Sequence, residues 1–229
     1  MLRVGGLTPL STTDWPGMLA AVVFCQGCPW RCRYCHNPGL IPARGDNEIA
    51  WRDVLDFLRR RQGLLDGVVF SGGEPTLQAA LPDAMREVRA LGFRIGLHTG
   101  GMNPQKLVAL LPLVDWVGMD VKAPFDDYSR ITGVAGSGTR ALAGLQQVLA
   151  SGVDHEIRTT VHPALLDDAA VAGMAHDLAA RGVRHYVIQA FRRQGCADQG
   201  LSRSAVRERP LQELGESLAP SFERFSVRA

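Results

Sequence analysis

The apolar positions of this chain fall into short runs that alternate with stretches of helical spacing. Residues 18–25, "MLAAVVFC", are rich in Val and Ala and follow a Pro-Gly pair, which is typical of a buried strand. In residues 48–61, the apolar positions recur instead at roughly helical spacing. The pattern therefore predicts a buried strand followed by an amphipathic helix.

The same alternation continues to the end of the chain. The apolar runs predict strands at 18–25, 67–73, 94–101, 114–124, 153–163 and 183–191. The helical spacing predicts helices at 48–61, 76–91, 104–111, 139–152, 167–182 and 204–219. About six strand–helix units require parallel strands with crossover helices, which is an α/β fold. Alternation alone leaves open a doubly wound sheet, a complete barrel and a partial barrel, and in each of these ligands gather at the carboxyl ends of the strands.

Composition and charge indicate a globular protein and limit the classes of partner that it could bind. The chain has 229 residues, of which 46% are hydrophobic and 21% charged, and its formal net charge is +2. Because no linker or low-complexity stretch interrupts it, we expect one domain over residues 1–229. The small charge argues against nucleic acid or a membrane surface as the main partner. No apolar run approaches the roughly 18 residues of a membrane span, and no secretory signal is visible, so we expect a cytoplasmic protein.

Four of the five cysteines lie in the eleven residues "CQGCPWRCRYC", from Cys25 to Cys35. Taken together they could close a tetrahedral zinc site or hold an iron–sulfur cluster. Without Cys25, the trio Cys28, Cys32 and Cys35 would leave one iron of a four-iron cubane open, as a catalytic metal site requires. Cys25 ends a predicted buried strand, where a free cysteine behaves as a small hydrophobe. The sequence therefore favours three ligands over four.

The cysteine segment resembles a known family of enzymes. The spacing C-x3-C-x2-C, with Tyr34 before the last cysteine, is similar to that of the radical S-adenosylmethionine (SAM) enzymes, and "CPWRCRYCHNP" resembles their glycyl-radical-enzyme activating branch. "SGGEP" ends a predicted strand about 35 residues later and strengthens the match. Three further stretches resemble the anaerobic ribonucleoside-triphosphate reductase activating proteins, relatives of the pyruvate formate-lyase activating enzyme: "TPLSTTDWPGMLAAVVFCQGC", "VGMDVKAPFDDYSRITG" and "EIRTTVHP".

The resemblance implies a partial (β/α)6 barrel of the TIM-like, radical SAM type and a set of site residues. The cofactors would be a [4Fe–4S] cluster and SAM, with the cluster held by Cys28, Cys32 and Cys35. The residues expected to bind SAM lie at or beyond the ends of the predicted strands. They are Tyr34, His36, Gly72, Gly73, Glu74, Thr99, Asp120, Lys122, Arg158 and Arg192.

Residue chemistry suggests how several of these would act. Gly72 and Gly73 would let the backbone approach a ligand, since they carry no side chain. The resemblance assigns Glu74 to the cationic amino group of SAM and the segment around Tyr34 to its adenine. Asp120 and Lys122 share one face of a strand, and the resemblance places them near the ribose and carboxylate of SAM. The resemblance also assigns Arg158 to the carboxylate, a role that its forked guanidinium suits. We expect His36 either to flank the adenine or to cap loop backbone groups.

Two sites depart from the pattern of the relatives. In "HTGG", His98 and Gly100 stand where relatives show an Asp-Thr-Asn-Gly type sequence. Arg192 stands where the pyruvate formate-lyase activating enzyme has a histidine near SAM. The surrounding arginines predict a solvated basic face, with an acidic protein segment as the alternative partner. These are Arg192, Arg193, Arg203, Arg207 and Arg209.

The activity implied by the resemblance is reductive cleavage of SAM at the cluster, followed by removal of a hydrogen atom from a glycine of a partner glycyl radical enzyme. The best partner is the large subunit of an anaerobic ribonucleotide reductase, with flavodoxin or ferredoxin as the electron donor. One alternative is a radical SAM enzyme that acts on a small molecule. The other is a non-catalytic iron–sulfur or zinc protein that uses all four clustered cysteines.

Overall fold

A computed structural model describes residues 1–204 and 210–228 of the chain. Within these ranges the strands are β1 (Val4–Ser11), β2 (Ala20–Cys25), β3 (Gly67–Gly72), β4 (Arg94–Thr99), β5 (Trp116–Asp120), β6 (Asp154–Val161), β7 (His185–Ala190) and β8 (Arg224–Arg228). The helices are α1 (Trp51–Arg59), α2 (Leu81–Ala90), α3 (Pro104–Leu110), α4 (Tyr128–Thr132), α5 (Ser137–Ser151), α6 (Asp168–Ala180), α7 (Gln199–Arg203) and α8 (Leu211–Leu218).

The strands form one sheet in chain order, from β1 to β8. Strand β1 runs antiparallel to β2, and every following pair is parallel. Helices connect the parallel strands and bury their apolar faces against the sheet, as α1 does with Trp51, Val54 and Leu58. The expected α/β fold with a parallel sheet is therefore confirmed, and in the described residues β1 and β8 are the two edges of the sheet.

The six predicted strands correspond to β2 through β7, whereas β1 and β8 were not predicted. Strand β1 has the sequence "VGGLTPLS", in which glycines and a proline hide the strand pattern, and most of its residues are half-buried or exposed. Strand β8 has the sequence "RFSVR" and no fully buried residue. Both lie at sheet edges, where packing selects less strongly for apolar residues.

One predicted helix begins later than expected, and another lies partly outside the described residues. The helix expected from residue 76 begins at Leu81, because residues 75–77 form a separate 3-10 turn before it. Pro82 lies in the first turn of α2, where proline is well tolerated. Of the helix predicted at 204–219, residues 205–209 lie outside the described residues, and Leu211–Leu218 is helical.

A small aromatic cluster packs against one face of the sheet, near the amino-terminal ends of β3, β4 and β5. Trp15, from the connection between β1 and β2, stacks on Trp116 with ring centroids 5.6 Å apart. Gly67 and Gly96 make room for Trp15, since a Cβ on either would lie 2.9 Å from its ring. The open space of the fold therefore lies toward the carboxyl ends of the strands. No helix in residues 1–204 and 210–228 is both long and apolar enough to cross a membrane.

Candidate functional site

A cavity of about 830 Å³ lies at the carboxyl ends of the strands. Every site residue predicted from the sequence lines it: Cys28, Cys32, Tyr34, Cys35, His36, Gly72, Gly73, Glu74, Thr99, Asp120, Lys122, Arg158 and Arg192. These residues come from the cysteine loop and five different strands or strand ends. The structure thus brings the whole predicted set together, while the ligand that each residue binds stays a prediction.

The alternation of side chains along β2 separates Cys25 from the other three cysteines. Phe24 lines the cavity, so Cys25, the next residue, points to the opposite face of the sheet. There it is fully buried and belongs to the hydrophobic core under the helices. Cys28, Cys32 and Cys35 are half-buried and face the cavity. Three thiols are therefore available to a ligand in the cavity, and the fourth is a core residue.

The three thiols fit an iron–sulfur cubane better than a single ion. Among the described residues, no group of three His, Cys, Asp or Glu side chains converges closely enough to hold one metal ion. A cubane bound by three cysteines places each sulfur on a different iron, so the sulfurs need not converge on one point. Burial raises the pKa of the Cys28 thiol to about 12 and also raises the pKa of Cys32. Metal binding would have to displace these protons.

The two glycines of "SGGEP" hold the cysteine loop in place. Gly73 donates its N–H to the carbonyl of Cys25 at 2.9 Å, and Glu74 donates its N–H to the carbonyl of Gly27 at 2.9 Å. A Cβ on Gly73 would lie 2.3 Å from the Gly27 oxygen, and one on Gly72 would lie 2.5 Å from the Cys25 nitrogen. The backbone that approaches these glycines is therefore the cysteine loop itself, a packing role that the sequence did not reveal.

The Glu74 carboxylate is buried and already accepts several hydrogen bonds. One oxygen accepts from the Thr76 hydroxyl at 2.7 Å, from the Thr76 N–H at 3.2 Å and from the Thr99 hydroxyl at 2.7 Å. The other oxygen accepts from the Gly100 N–H at 2.9 Å. Burial raises the pKa of Glu74, and these hydrogen bonds oppose that shift. Glu74 ties the end of β3 to the end of β4, and only its second oxygen has capacity for one more donor.

Asp120, Lys122 and Arg158 form a charge cluster with one more positive than negative charge, in which Arg158 is buried and the other two are half-buried. Asp120 accepts from the Lys122 ammonium at 3.2 Å and from the Arg158 guanidinium at 3.0 Å. Burial alone would raise the pKa of Asp120, but the two cations hold it well below its ordinary value. Burial likewise disfavours the charged form of Lys122, yet Asp120 keeps its pKa well above the ordinary value. An excess cation in a cavity favours an anionic ligand group.

His98 connects this charge cluster to the β1–β2 connection. Its Nδ1 lies 3.1 Å from the Ser71 hydroxyl, and its Nε2 lies 2.8 Å from the Asp14 carbonyl oxygen and 3.1 Å from Nη1 of Arg158. Burial and the Arg158 cation lower the pKa of His98 to about 3. Nε2 of the neutral ring either donates to Asp14 or accepts from Arg158, so only one of the two contacts is a hydrogen bond at a time.

Tyr34, His36 and Arg192 lie together on the side of the cysteine loop. The Lys122 ammonium lies 5.8 Å from the centroid of the Tyr34 ring, which is buried. Nε2 of His36 lies 2.9 Å from the Arg192 carbonyl oxygen, and its ring stacks on Phe191 at 5.4 Å. Burial lowers the pKa of His36, so the neutral ring donates from Nε2 to that carbonyl. His36 thus both lines the cavity and caps a loop backbone group.

The cavity is also lined by residues that were not predicted. Among them are Asp14, Trp30, Thr160, Gln189 and Arg228. Gln189 donates to the Thr160 hydroxyl at 2.8 Å, and both lie near the ends of predicted strands, a signal that could have identified them. Trp30 explains the unusual Gly100, because a Cβ at that position would lie 2.6 Å from the indole ring. Asp14 and Arg228 belong to the connection after β1 and to β8, the two strands that the sequence did not predict.

Comparison with known proteins identifies the family. The Radical SAM superfamily profile matches residues 22–172, which is more than half of the chain. A protein of Methanocaldococcus jannaschii named as a glycyl-radical enzyme activating enzyme is 30% identical over 98% of this chain and 95% of its own length. The pyruvate formate-lyase-activating enzyme of Clostridium pasteurianum is 34% identical over 73% of this chain and 71% of its own.

The fold is also found in solved structures. Streptococcus suis SuiB bound to S-adenosylmethionine superposes with a TM-score of 0.67 and 13% sequence identity, over 89% of this chain and 48% of SuiB. This chain therefore spans about half the length of SuiB, and the likeness concerns the fold. From the superfamily match over residues 22–172, the chain belongs to the radical SAM superfamily. It is an enzyme of the radical SAM type, whose cofactors are a [4Fe–4S] cluster and SAM.

Proposed function

We propose that this chain activates a glycyl radical enzyme and that its partner is the large subunit of an anaerobic ribonucleotide reductase. The observation that carries the activating function is the similarity over 98% of this chain to a relative named as such an activating enzyme. The reductase as partner rests on the sequence resemblance of the segments around "STTDWPG", "MDVK" and "EIRTTVHP". Two of these segments contribute the charge cluster, and the first contributes Asp14 to the cavity.

The three thiols and the charge cluster would bind different cofactors. Cys28, Cys32 and Cys35 would hold the cluster. When bound, the cluster and SAM would supply one-electron cleavage of the sulfonium to methionine, and the hydrogen atom of a partner glycine Cα would end in 5′-deoxyadenosine. Lys122 and Arg158 would bind the SAM carboxylate, since the excess positive charge beside Asp120 requires an anion.

The remaining cavity residues would position SAM and exclude competing proton transfer. His98 has a pKa of about 3 and stays neutral near pH 7, so it presents no proton acid to the site. Hydrogen-atom removal from a glycine needs no general base, which agrees with carboxylates that are engaged by protein donors or cations. In the described part of the chain the sheet is not closed, since β1 and β8 are its two edges. The glycine-bearing segment of the partner would reach the cavity at these edges.

The test is anaerobic incubation of the cluster-loaded enzyme with SAM, a reductant and the candidate reductase. We expect 5′-deoxyadenosine and a glycyl radical signal, by electron spin resonance, on the reductase polypeptide. A radical on pyruvate formate-lyase but not on the reductase would reassign the partner. Production of 5′-deoxyadenosine without a radical on either polypeptide, together with a modified small molecule from a cell extract, would support the small-molecule alternative instead.

A further inference from the structure

The cysteine loop carries a cluster of exposed arginines that the proposed chemistry does not use. Arg31 and Arg33 flank Cys32 directly in the chain, and both are exposed. Arg192 and Arg193 are also exposed and follow β7. We call these four residues the basic rim. Arg192 also lines the cavity, whereas Arg31 and Arg193 do not.

Backbone contacts bring the two parts of the basic rim together. The carbonyl of Arg192 is hydrogen-bonded to His36, and a Cβ on Gly195 would lie 2.4 Å from the His36 oxygen. The thiol of Cys196 lies 3.6 Å from the Arg33 carbonyl oxygen. The segment after β7 is therefore packed against the cysteine loop, so the two arginine pairs lie on adjoining backbone segments.

The basic rim is poorly neutralised by the protein. Arg33 forms an ion pair with Asp198 at 3.1 Å, half exposed to solvent. For Arg31, Arg192 and Arg193, no ion pair with a carboxylate is present in residues 1–204 and 210–228. The neighbouring Arg130 is paired with Asp127. The rim thus presents four guanidinium groups against one carboxylate on a chain whose formal charge is only +2, and such a field attracts an acidic partner.

We propose that the basic rim is the docking surface for an acidic one-electron carrier protein. The docking proposal shares one premise with the proposed function: cleavage of SAM needs one electron from outside the protein. The reduced carrier would lose one electron, and the cluster bound by Cys28, Cys32 and Cys35 would gain it. Because electron transfer slows steeply with distance, the surface beside Cys32 is a favourable place for the carrier. Such encounters are small and transient, and charge at their edges mainly sets the association rate.

The glycyl radical partner fits another surface better. Its glycine must enter the cavity, and the cavity lining from the edge strand β8 and from the connection after the edge strand β1 includes Arg228 and Asp14, one residue of each sign. The basic rim, in contrast, carries four arginines against one paired carboxylate. Two surfaces would allow the electron donor and the polypeptide substrate to bind at the same time.

The test compares two double variants that change the charge equally. Arg31→Glu/Arg193→Glu reverses the rim, and Arg61→Glu/Arg184→Glu reverses two exposed arginines far from it, after α1 and before β7. Each cluster-loaded protein is given SAM and either reduced flavodoxin or dithionite, without any glycyl radical enzyme. The initial rate of 5′-deoxyadenosine formation is measured at low and at high salt.

For the rim variant we expect the flavodoxin-dependent rate to fall at least about tenfold at low salt, because steering is lost. Its dithionite-dependent rate should stay within about twofold of wild type, since cavity residues are unchanged. Added salt should slow wild type and the control variant with flavodoxin but have little effect on the rim variant.

Three results would overturn the proposal. An unchanged flavodoxin rate would show that the carrier docks elsewhere, and an equal loss with both reductants would show that the arginines support the cavity instead. In a separate reaction with the reductase and dithionite, loss of the glycyl radical with normal SAM cleavage would assign the rim to the polypeptide partner. Because the main assay contains no reductase, failure of the proposed function would not change its outcome.

Discussion

His98 places a titratable ring between the Arg158 guanidinium and the Asp14 carbonyl. Burial and Arg158 lower its pKa to about 3, whereas an unfolded histidine has a pKa near 6.5. Below pH 6.5 the unfolded chain therefore takes up a proton that the folded chain refuses. By linkage, this residue makes the folded state less stable as pH falls from 6.5 toward 3.

His98→Gln should reduce the acid sensitivity of the fold. Between pH 7.5 and pH 5 the histidine makes the free energy of unfolding fall by roughly 2 kcal/mol, and the glutamine variant should lack that part. The check is urea unfolding of both proteins at several pH values under anaerobic, reducing conditions. His176, which is exposed on α6, gives the matched control. If His98→Gln and His176→Gln show the same pH dependence, the ring does not have the lowered pKa.

Cys25 and Cys32 should respond in opposite ways to substitution by serine. Cys25→Ser exchanges a thiol in the helix-facing core and should preserve the iron content and SAM cleavage, at a cost in stability of about 1–3 kcal/mol for a buried hydroxyl. Cys32→Ser removes a thiol that faces the cavity and should abolish both. Iron and sulfide analysis after anaerobic reconstitution measures the outcome. Loss of the cluster in Cys25→Ser would favour the four-cysteine alternative.

The cavity residues divide into those that sequence could and could not reveal. The cysteine spacing and "SGGEP" are local patterns, so they identified Cys28 and Glu74 as cavity residues before the fold was known. His98 was noticed only as a departure, because its partners Asp14 and Arg158 are 84 and 60 residues away in the chain. Contacts of that range depend on strand register, which local patterns do not encode.

The junction between the cysteine loop and the end of β3 depends on backbone contact. Gly73 lies where a Cβ would meet the Gly27 carbonyl at 2.3 Å, and its N–H bonds to Cys25. This is the contact that sets how deeply the loop enters the cavity. The position of the loop is therefore a property of both elements, not of the cysteine motif alone.

Gly73→Ala should displace the cysteine loop. We expect a loss of about 1–3 kcal/mol in the free energy of unfolding and a lower iron content, because rigid backbone must move away from the new methyl group. Gly173→Ala is the control, since Gly173 lies in α6 with open space around its Cβ position and should be neutral or slightly stabilised. Thermal unfolding and iron analysis compare the two. Equal stability and iron content in both variants would contradict the packing role of Gly73.

Like the cavity residues, the strands divide into those that the sequence predicted and those that it did not. Strands β2 and β3 were predictable because both faces are covered, so their sequences are nearly continuous apolar runs. β1 and β8 are covered less, and their residues are mostly half-buried, so composition carries little signal there. Sequence thus located the central strands and left the two edge strands unpredicted.

The last strand of the sheet, β8, makes a side-chain contact beyond its backbone pairing. Arg228 of β8 forms two hydrogen bonds of 2.7 Å to the fully buried carboxylate of Glu156 on β6. Within residues 1–204 and 210–228 β8 pairs only with β7, so this ion pair reaches across β7 to anchor the last strand. The same Arg228 lines the cavity, which couples the edge of the fold to its site.

Arg228→Met should therefore destabilise the whole molecule more than its partial exposure suggests. It leaves the buried Glu156 carboxylate with only His185 at 3.6 Å, whose pKa is lowered by burial, and we expect a loss of about 3 kcal/mol or more in the free energy of unfolding. Arg224→Met, on the same strand but paired with Asp154 at the surface, should cost less than about 1 kcal/mol. In Glu156→Gln/Arg228→Met the unpaired charge is absent, so the double variant should be more stable than Arg228→Met alone. Denaturant unfolding of wild type and the four variants, including Glu156→Gln, gives the coupling energy. Additive effects would mean that β8 is held by its backbone pairing with β7 and not by the ion pair.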